Sequence, residues 1–151
     1  MTKLSNRDVF IRTLNALGSK DFDTFESFLT DDHLAEWPYV VMQGFPTAMS
    51  GGRRLREMLE VSLAAFAPFR YEIIEIHECA KPDRLLAEYS ATSRYLTRDV
   101  PYANQYVGVI DFRGGKISRW REYVNPMPVL EALGPGLVWT EAAGQVKASS
   151  P

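Results

Sequence analysis

The residues best suited to chemistry gather late in the chain, around Glu122. On an extended backbone, alternation puts Ser118, Trp120, Glu122 and Val124 on one face, and Ile117, Arg119, Arg121 and Tyr123 on the other. The segment before it divides in the same way, with Asn104, Tyr106, Gly108, Ile110 and Phe112 opposed to Gln105, Val107, Val109 and Asp111. The aromatic-rich sets carry the bulk that fills a core, so they are expected to face inward together. Glu122 then lies inside with Trp120 and Tyr106. Removal from water raises a carboxylate's pKa toward the neutral range that a general acid/base needs. The alternative is a buried carboxylate paired with an arginine such as Arg94 or Arg54. On the same face, Asn104 and Tyr106 are placed to orient a ligand carbonyl or to stabilise an enolate, although Tyr106 also suits a core aromatic with a satisfied hydroxyl. Trp37 and Tyr39, two apart in Glu36-Trp37-Pro38-Tyr39, are expected to line the mouth of a cavity. Met58 and Ser62, one helical turn apart, are expected to border its floor. Ser62 has no evident base beside it and reads as a helix serine bonding its own backbone.

Other reactive residue types are scarce. The chain has 151 residues with two histidines and one cysteine, so neither an internal disulfide nor a cysteine-based zinc site can form. His33, beside Asp31 and Asp32, reads as part of a polar loop rather than a metal corner, and His77 as a surface or interface residue in a strand. No metal and no cofactor are expected. Arg113-Gly114-Gly115-Lys116 joins two strands rather than a strand to a helix, which excludes a P-loop mechanism. Arg53, Arg54 and Arg56 form a basic patch at a helix start, read as a solvated face or a rim for an acidic ligand group. A net charge of −2 argues against nucleic acid or an anionic membrane as the main partner. The start, MTKLSNRDVF, has no apolar stretch of signal-peptide type, so a cytoplasmic location is expected.

Three helices and a run of antiparallel strands must hold these residues. Ser5 and Asp8 form a capping-box pattern ahead of Val9, Phe10, Thr13, Leu14 and Leu17, and Gly18 ends that helix. Asp21 caps a second helix carrying Phe22, Phe25, Phe28 and Leu29. An extended stretch from Leu34 to Met42 follows, where Pro38 forbids a central helix position. The third helix opens at Ser50-Gly51-Gly52, carries Leu55, Met58, Leu59, Ser62, Leu63 and Phe66, and stops at Pro68. Strands are expected over Tyr71–Cys79, Leu85–Leu96, Ala103–Phe112 and Ile117–Val124, with a connection at Thr97–Tyr102 and a short helix through Leu133. Residues 1–140 form one α+β domain, a curved antiparallel sheet wrapped over helices to leave a conical cavity, and 141–151 read as a tail.

The motif Tyr102-Ala-Asn104-Gln-Tyr106 precedes Gly114-Gly-Lys116-Ile-Ser-Arg-Trp120-Arg-Glu122-Tyr123-Val-Asn125-Pro126. Together with Leu130-Glu-Ala-Leu133-Gly134, these residues resemble the SnoaL-like branch of the NTF2-like superfamily, and within it the phenazine-biosynthesis A/B family. The resemblance extends from Phe69 through Leu133. It implies an α+β cone with one small-molecule pocket per subunit and a homodimer formed through the outer sheet face. In the phenazine proteins a helix-3 histidine and a last-strand glutamate act together. The corresponding positions here hold Met58 and Glu122. The positions of the ketosteroid isomerase residues hold Thr13, Trp37 and Gly108, which argues against steroid isomerisation, and no Arg-Asp-Asp set of epoxide-hydrolase type is identifiable. The expected function is binding of a small cyclic or hydrophobic metabolite. Any catalysis would be cofactor-independent isomerisation, cyclisation or condensation through Glu122. The alternatives are a non-catalytic binding or accessory subunit and a protein-interaction module.

Overall fold

A computed structural model describes residues 2–140 and the backbone of 145–148. Helix α1 (Asn6–Gly18) opens on the expected capping box, in which Ser5 and Asp8 bond reciprocally, and buries Val9, Phe10, Thr13, Leu14 and Leu17. Gly18 is required by contact as well as by helix termination. A Cβ there would lie 2.4 Å from the Phe69 carbonyl oxygen, and the Gly18 carbonyl accepts from the Phe69 amide. Asp21 caps α2 (Phe22–Ser27) through the Thr24 amide.

Strand β1 (Leu29–Glu36) begins before the stretch read as extended and ends before Trp37. It pairs antiparallel with β2 (Ala48–Ser50) and parallel with β6 (Lys116–Val124), so the sheet is mixed rather than wholly antiparallel. Helix α3 (Gly52–Ser62) stops short of Phe66, and a turn of 3-10 helix at Leu63–Ala65 completes the segment. The strands β3 (Arg70–Glu78), β4 (Arg84–Tyr95), β5 (Val100–Arg113) and β6 form an antiparallel meander, giving the order β2-β1-β6-β5-β4-β3. β5 starts three residues earlier than expected. Pairing with β6 begins only at Tyr106, so Pro101 has β4 as its sole strand neighbour and its missing amide breaks no ladder.

The inner face of β5 carries Tyr102, Asn104, Tyr106, Gly108, Ile110 and Phe112, all buried as alternation requires. In β6 alternation fails at one point. A register shift at Asp111/Phe112 turns Ile117 into the core and leaves Ser118, expected inside, bonded through its hydroxyl to the Asp111 carbonyl. Trp120, Glu122 and Val124 keep the expected face. Phe10 of α1 fills one part of the concave sheet edge-on against Tyr89 and Trp120, at 5.5 and 5.3 Å between ring centres. Helix α4 (Pro126–Leu133), capped by Asn125, follows β6. Beyond it β7 (Leu137–Thr140) pairs with β8 (Gln145–Ala148), so part of the segment read as a tail is a strand. Residues 141–144 and 149–151 lie outside the described residues.

Candidate functional site: an aromatic cavity around Glu122

Where α1 does not fill the cone, a cavity of about 200 Å³ remains between the sheet, α3 and the β7 segment. Its wall is mostly aromatic and aliphatic, and Trp37, Met58, Ser62, Tyr106, Trp120 and Glu122 all border it, as the sequence reading placed them. Glu122 pairs across the sheet with Gly108. A Cβ at Gly108 would approach the Trp120 Nε1 to 3.1 Å and the Tyr89 ring to 3.3 Å. The bare glycine therefore opens the space through which Tyr89, one strand further away, reaches Glu122. The Tyr89 hydroxyl donates to Glu122 Oε2 in a short hydrogen bond and accepts from Trp120 Nε1 at 3.1 Å. Its own proton is thus committed to the carboxylate.

Burial pushes the Glu122 carboxyl up to about 7, and hydrogen bonding from Tyr89 and Trp37 only partly opposes it. The Tyr71 and Tyr89 hydroxyls are raised by burial and then by the Glu122 charge. No arginine neutralises Glu122 among the described residues. Arg94 is held by Asp99, Arg84 by Asp111 and Arg119 by Glu36, all away from the cavity. A titratable proton near neutrality, in a largely apolar cavity, is what this geometry provides chemically.

Two expected ligand contacts sit elsewhere. Tyr39 is 59% exposed and stacks edge-on with Tyr123 on the outer surface. The strand ends at Glu36 and the chain turns at Pro38, so the alternation that linked Tyr39 to Trp37 does not operate. Asn104 is buried but is not part of the cavity wall. Its amide donates to the Tyr102 hydroxyl at 3.0 Å and to the Asn125 carbonyl at 2.9 Å. Tyr102 and Tyr106 share a hydroxyl–hydroxyl bond of 2.7 Å. Asn104 therefore acts on the cavity through this pair.

His33 departs from the polar-loop reading. It is fully buried in β1, borders the cavity and bonds through Nδ1 to the Ile117 carbonyl at 3.0 Å. Tyr71, Tyr89, Tyr102, His33 and Trp139 are site residues that the sequence reading did not single out. Tyr89 was within reach of the same parity argument, since Leu85, Ala87, Tyr89 and Ala91 share the buried face of β4. Tyr102 was obscured by the connection drawn there, and His33 by its two acidic neighbours.

The basic patch is largely structural. Arg56 binds Glu26, Asp23 and Glu60, and Arg53 binds Glu26, tying α3 to α2. His77 lies on the outer sheet face with Glu75 and Glu88, its Nε2 3.6 and 3.8 Å from their oxygens. Among the described residues these three form the one group spaced to hold a metal ion, and they lie on the sheet face opposite Glu122, with Glu88 next to the Ala87–Gly108–Glu122 row.

Helices packed into the concave face of a strongly bent sheet, with a cavity between them, define the fold seen in solved proteins described as NTF2-like or ketosteroid isomerase-like. A solved Bacillus subtilis protein described as a candidate isomerase superposes with a TM-score of 0.77 at 22% identity, covering 87% of this chain and 96% of that one. An LEH-like epoxide hydrolase of M. tuberculosis does so with a TM-score of 0.66 at 26% identity, covering 83% and 89%. The SnoaL-like domain model matches residues 10–120, and the chain belongs to that family. Within it the chain is similar to the phenazine biosynthesis protein PhzA2 of Pseudomonas aeruginosa, 25% identical over 132 residues that span 85% of this chain and 80% of that protein.

Proposed function

We propose that the cavity binds a small, mostly apolar cyclic carbonyl compound, and that Glu122 moves a proton at the carbon next to the carbonyl. The observation that carries this reading is a carboxyl group raised to about 7 in a largely apolar cavity, with no cationic side chain lining it among the described residues. In its ionised form Glu122 takes the α-proton, and the electron pair moves onto the carbonyl oxygen. The Tyr102–Tyr106 pair supports that oxygen, because a hydroxyl chain fed by Asn104 leaves one O–H proton to donate. Return of the proton to another carbon completes an isomerisation; attack of the enolate on a second carbonyl, with the Glu122 proton passing to the alkoxide oxygen so formed, completes a cyclisation or condensation. Neither step calls for a cofactor.

The test is hydrogen–deuterium exchange at the α-carbon of cyclic ketones such as 1-tetralone, followed by NMR. The protein is expected to accelerate exchange, and Glu122→Gln to slow it by about a hundredfold or more while leaving ketone affinity nearly unchanged. Equal rates for the two proteins would favour the second reading, a non-catalytic binding subunit. That reading is supported by Met58, which borders the cavity with a thioether that receives the Ser62 hydroxyl and offers no second base.

The outer sheet face is read as a homodimer surface, because Ile74, 57% exposed, and Tyr39 border a shallow concavity there with Val107 and Tyr123. Ile74→Lys is expected to shift sedimentation toward a monomer. Among the described residues no helix is long and apolar enough to cross a membrane; a cytoplasmic location remains part of this proposal.

A further inference from the structure

The cavity wall carries a second polar side chain, His33, that the proton-transfer reading does not use. The Ile117 carbonyl can only accept, so the 3.0 Å contact requires the proton of the His33 ring to sit on Nδ1. In the neutral ring Nε2 is then a bare acceptor. Burial pushes the His33 pKa down, against the smaller effects of the Ile117 bond and Asp32, which keeps the ring neutral near pH 7. Nε2 is buried and has no partner among the described residues. An unmet acceptor in such a place costs roughly 1–3 kcal/mol, and a histidine tied down at one nitrogen cannot turn away to find relief.

The position of His33 gives that acceptor a direction in the site. Its carbonyl accepts from the Gly51 amide at the start of α3, whereas Glu122 lies toward the β6 end that leads into α4. Leu34 pairs with Arg119 in the parallel ladder, so His33 and Glu122 are offset by four residues, about 13 Å along the strands. Between them the wall contributes Ala35, Trp37 and Trp120.

We propose that His33 Nε2 accepts a hydrogen bond from the ligand and so fixes which end of it meets Glu122. The ligand class narrows accordingly. It is an elongated, fused-ring or similarly flat carbonyl compound with a hydroxyl or N–H at the end remote from the reacting carbon. A carboxylate or phosphate at that end is disfavoured, because Nε2 offers a lone pair and no cationic side chain lines the cavity among the described residues. This inference rests on the cavity being the ligand site proposed above.

Two probes differing by one donor test it: 6-hydroxy-1-tetralone and 1-tetralone. The readouts are ¹⁵N NMR of the two histidine rings, with exposed His77 as internal reference, and ¹³C NMR of the Glu122 carboxyl. The hydroxylated ketone is expected to move the His33 Nε2 signal upfield and to bind about tenfold tighter than 1-tetralone, which leaves that signal in place. His33→Asn, which retains a donor for the Ile117 carbonyl and withdraws the distal acceptor, is expected to erase the preference, and His33→Gln to retain part of it. If both ketones perturb Glu122 while Nε2 does not respond to either, the His33 inference is overturned and the Glu122 reading stands. If Nε2 responds and the Glu122 carboxyl does not, the orientation holds and the proton-transfer reading fails. An Nε2 signal already at the bound-acceptor position without ketone, and unchanged by it, assigns the lone pair to a resident water and also overturns the inference.

Discussion

Replacing Glu122 by glutamine is expected to make the protein more stable, by a margin that develops only above about pH 4.5. The folded carboxyl titrates at about 7, against 4.5 for the free side chain. A raised carboxylate pKa means that the unfolded chain gives up this proton first. Below about pH 4.5 both states hold the proton, and the group neither adds nor removes stability. Between about 4.5 and 7 the unfolded state ionises while the folded state does not, so wild-type stability falls with rising pH; above 7 both have ionised and the loss is complete. The gap of about 2.5 units corresponds to about 3 kcal/mol. For a domain of this size that is roughly 6 to 12 °C in Tm. Glutamine copies the protonated acid, still accepts from Tyr89 and does not titrate. Urea unfolding followed by tryptophan fluorescence, run for both proteins from pH 4.5 to 8, reads the difference directly. The other perturbed carboxylates, such as Glu36, Asp111 and Glu26, are held low by arginines. Their stabilisation is lost at acid pH in both proteins, so the subtraction removes it. The variant's advantage is expected to grow by about 3 kcal/mol between pH 4.5 and 7 and then level off. Parallel curves across that range would refute a desolvated Glu122, and with it the physical basis of the proposed chemistry.

Tyr89→Phe removes the hydroxyl that steadies the ionised carboxylate, so the Glu122 titration seen by ¹³C NMR is expected to move further upward, and unfolding to cost about 1–2 kcal/mol less from the lost hydrogen bonds; an unchanged titration would show that Tyr89 does not act on Glu122. Gly108→Ala places a methyl within 3.1 Å of the Trp120 indole nitrogen and 3.3 Å of the Tyr89 ring, and is expected to destabilise by about 1–3 kcal/mol while altering the Glu122 titration; a neutral effect on both would mean that the aromatic pair has room to give. Arg56→Met removes a guanidinium that is 15% exposed and bonds to acids on both α2 and α3. It is expected to lower stability at low salt and to lower it less at 1 M salt, by denaturant unfolding.

Strand parity made the centre of the site legible, because it depends only on backbone geometry and on which face carries enough bulk to fill a core. It placed Glu122 with Trp120 and Tyr106, and it fails where the backbone breaks the repeat. The register shift at Asp111/Phe112 reverses Ser118 and Ile117, and the end of β1 before Pro38 detaches Tyr39 from Trp37. The first break has no composition signal, whereas Pro38 marks the second. The parallel pairing of β1 with β6 was also out of reach, since a parallel partner is chosen by the path of the whole chain and not by any local pattern.

His33 shows why the chemistry was harder to read than the fold. Asp31-Asp32-His33 has the composition of a loop, and as a loop it would carry three solvated side chains. In the structure β1 passes through it with Leu29, His33 and Ala35 buried, while Asp31 and Asp32 are exposed and Asp32 is bound by Arg113. The ion pair keeps the acidic residue at the surface, and the carbonyl of Ile117 takes the histidine inward. Ile117 is itself turned into the core by the same register shift that displaced Ser118. One irregularity in the β5–β6 ladder thus accompanies both the failure of simple alternation and the anchoring of the cavity's second polar group. A bulge beside a cavity is a device for aiming a side chain or carbonyl where regular pleating does not. Straightening it, by deleting Ser118, the residue left unpaired between the Asp111–Arg119 and Phe112–Ile117 pairs, is expected to release His33 from Ile117 before it disturbs Glu122, whose pairing with Gly108 lies in the regular part of the ladder.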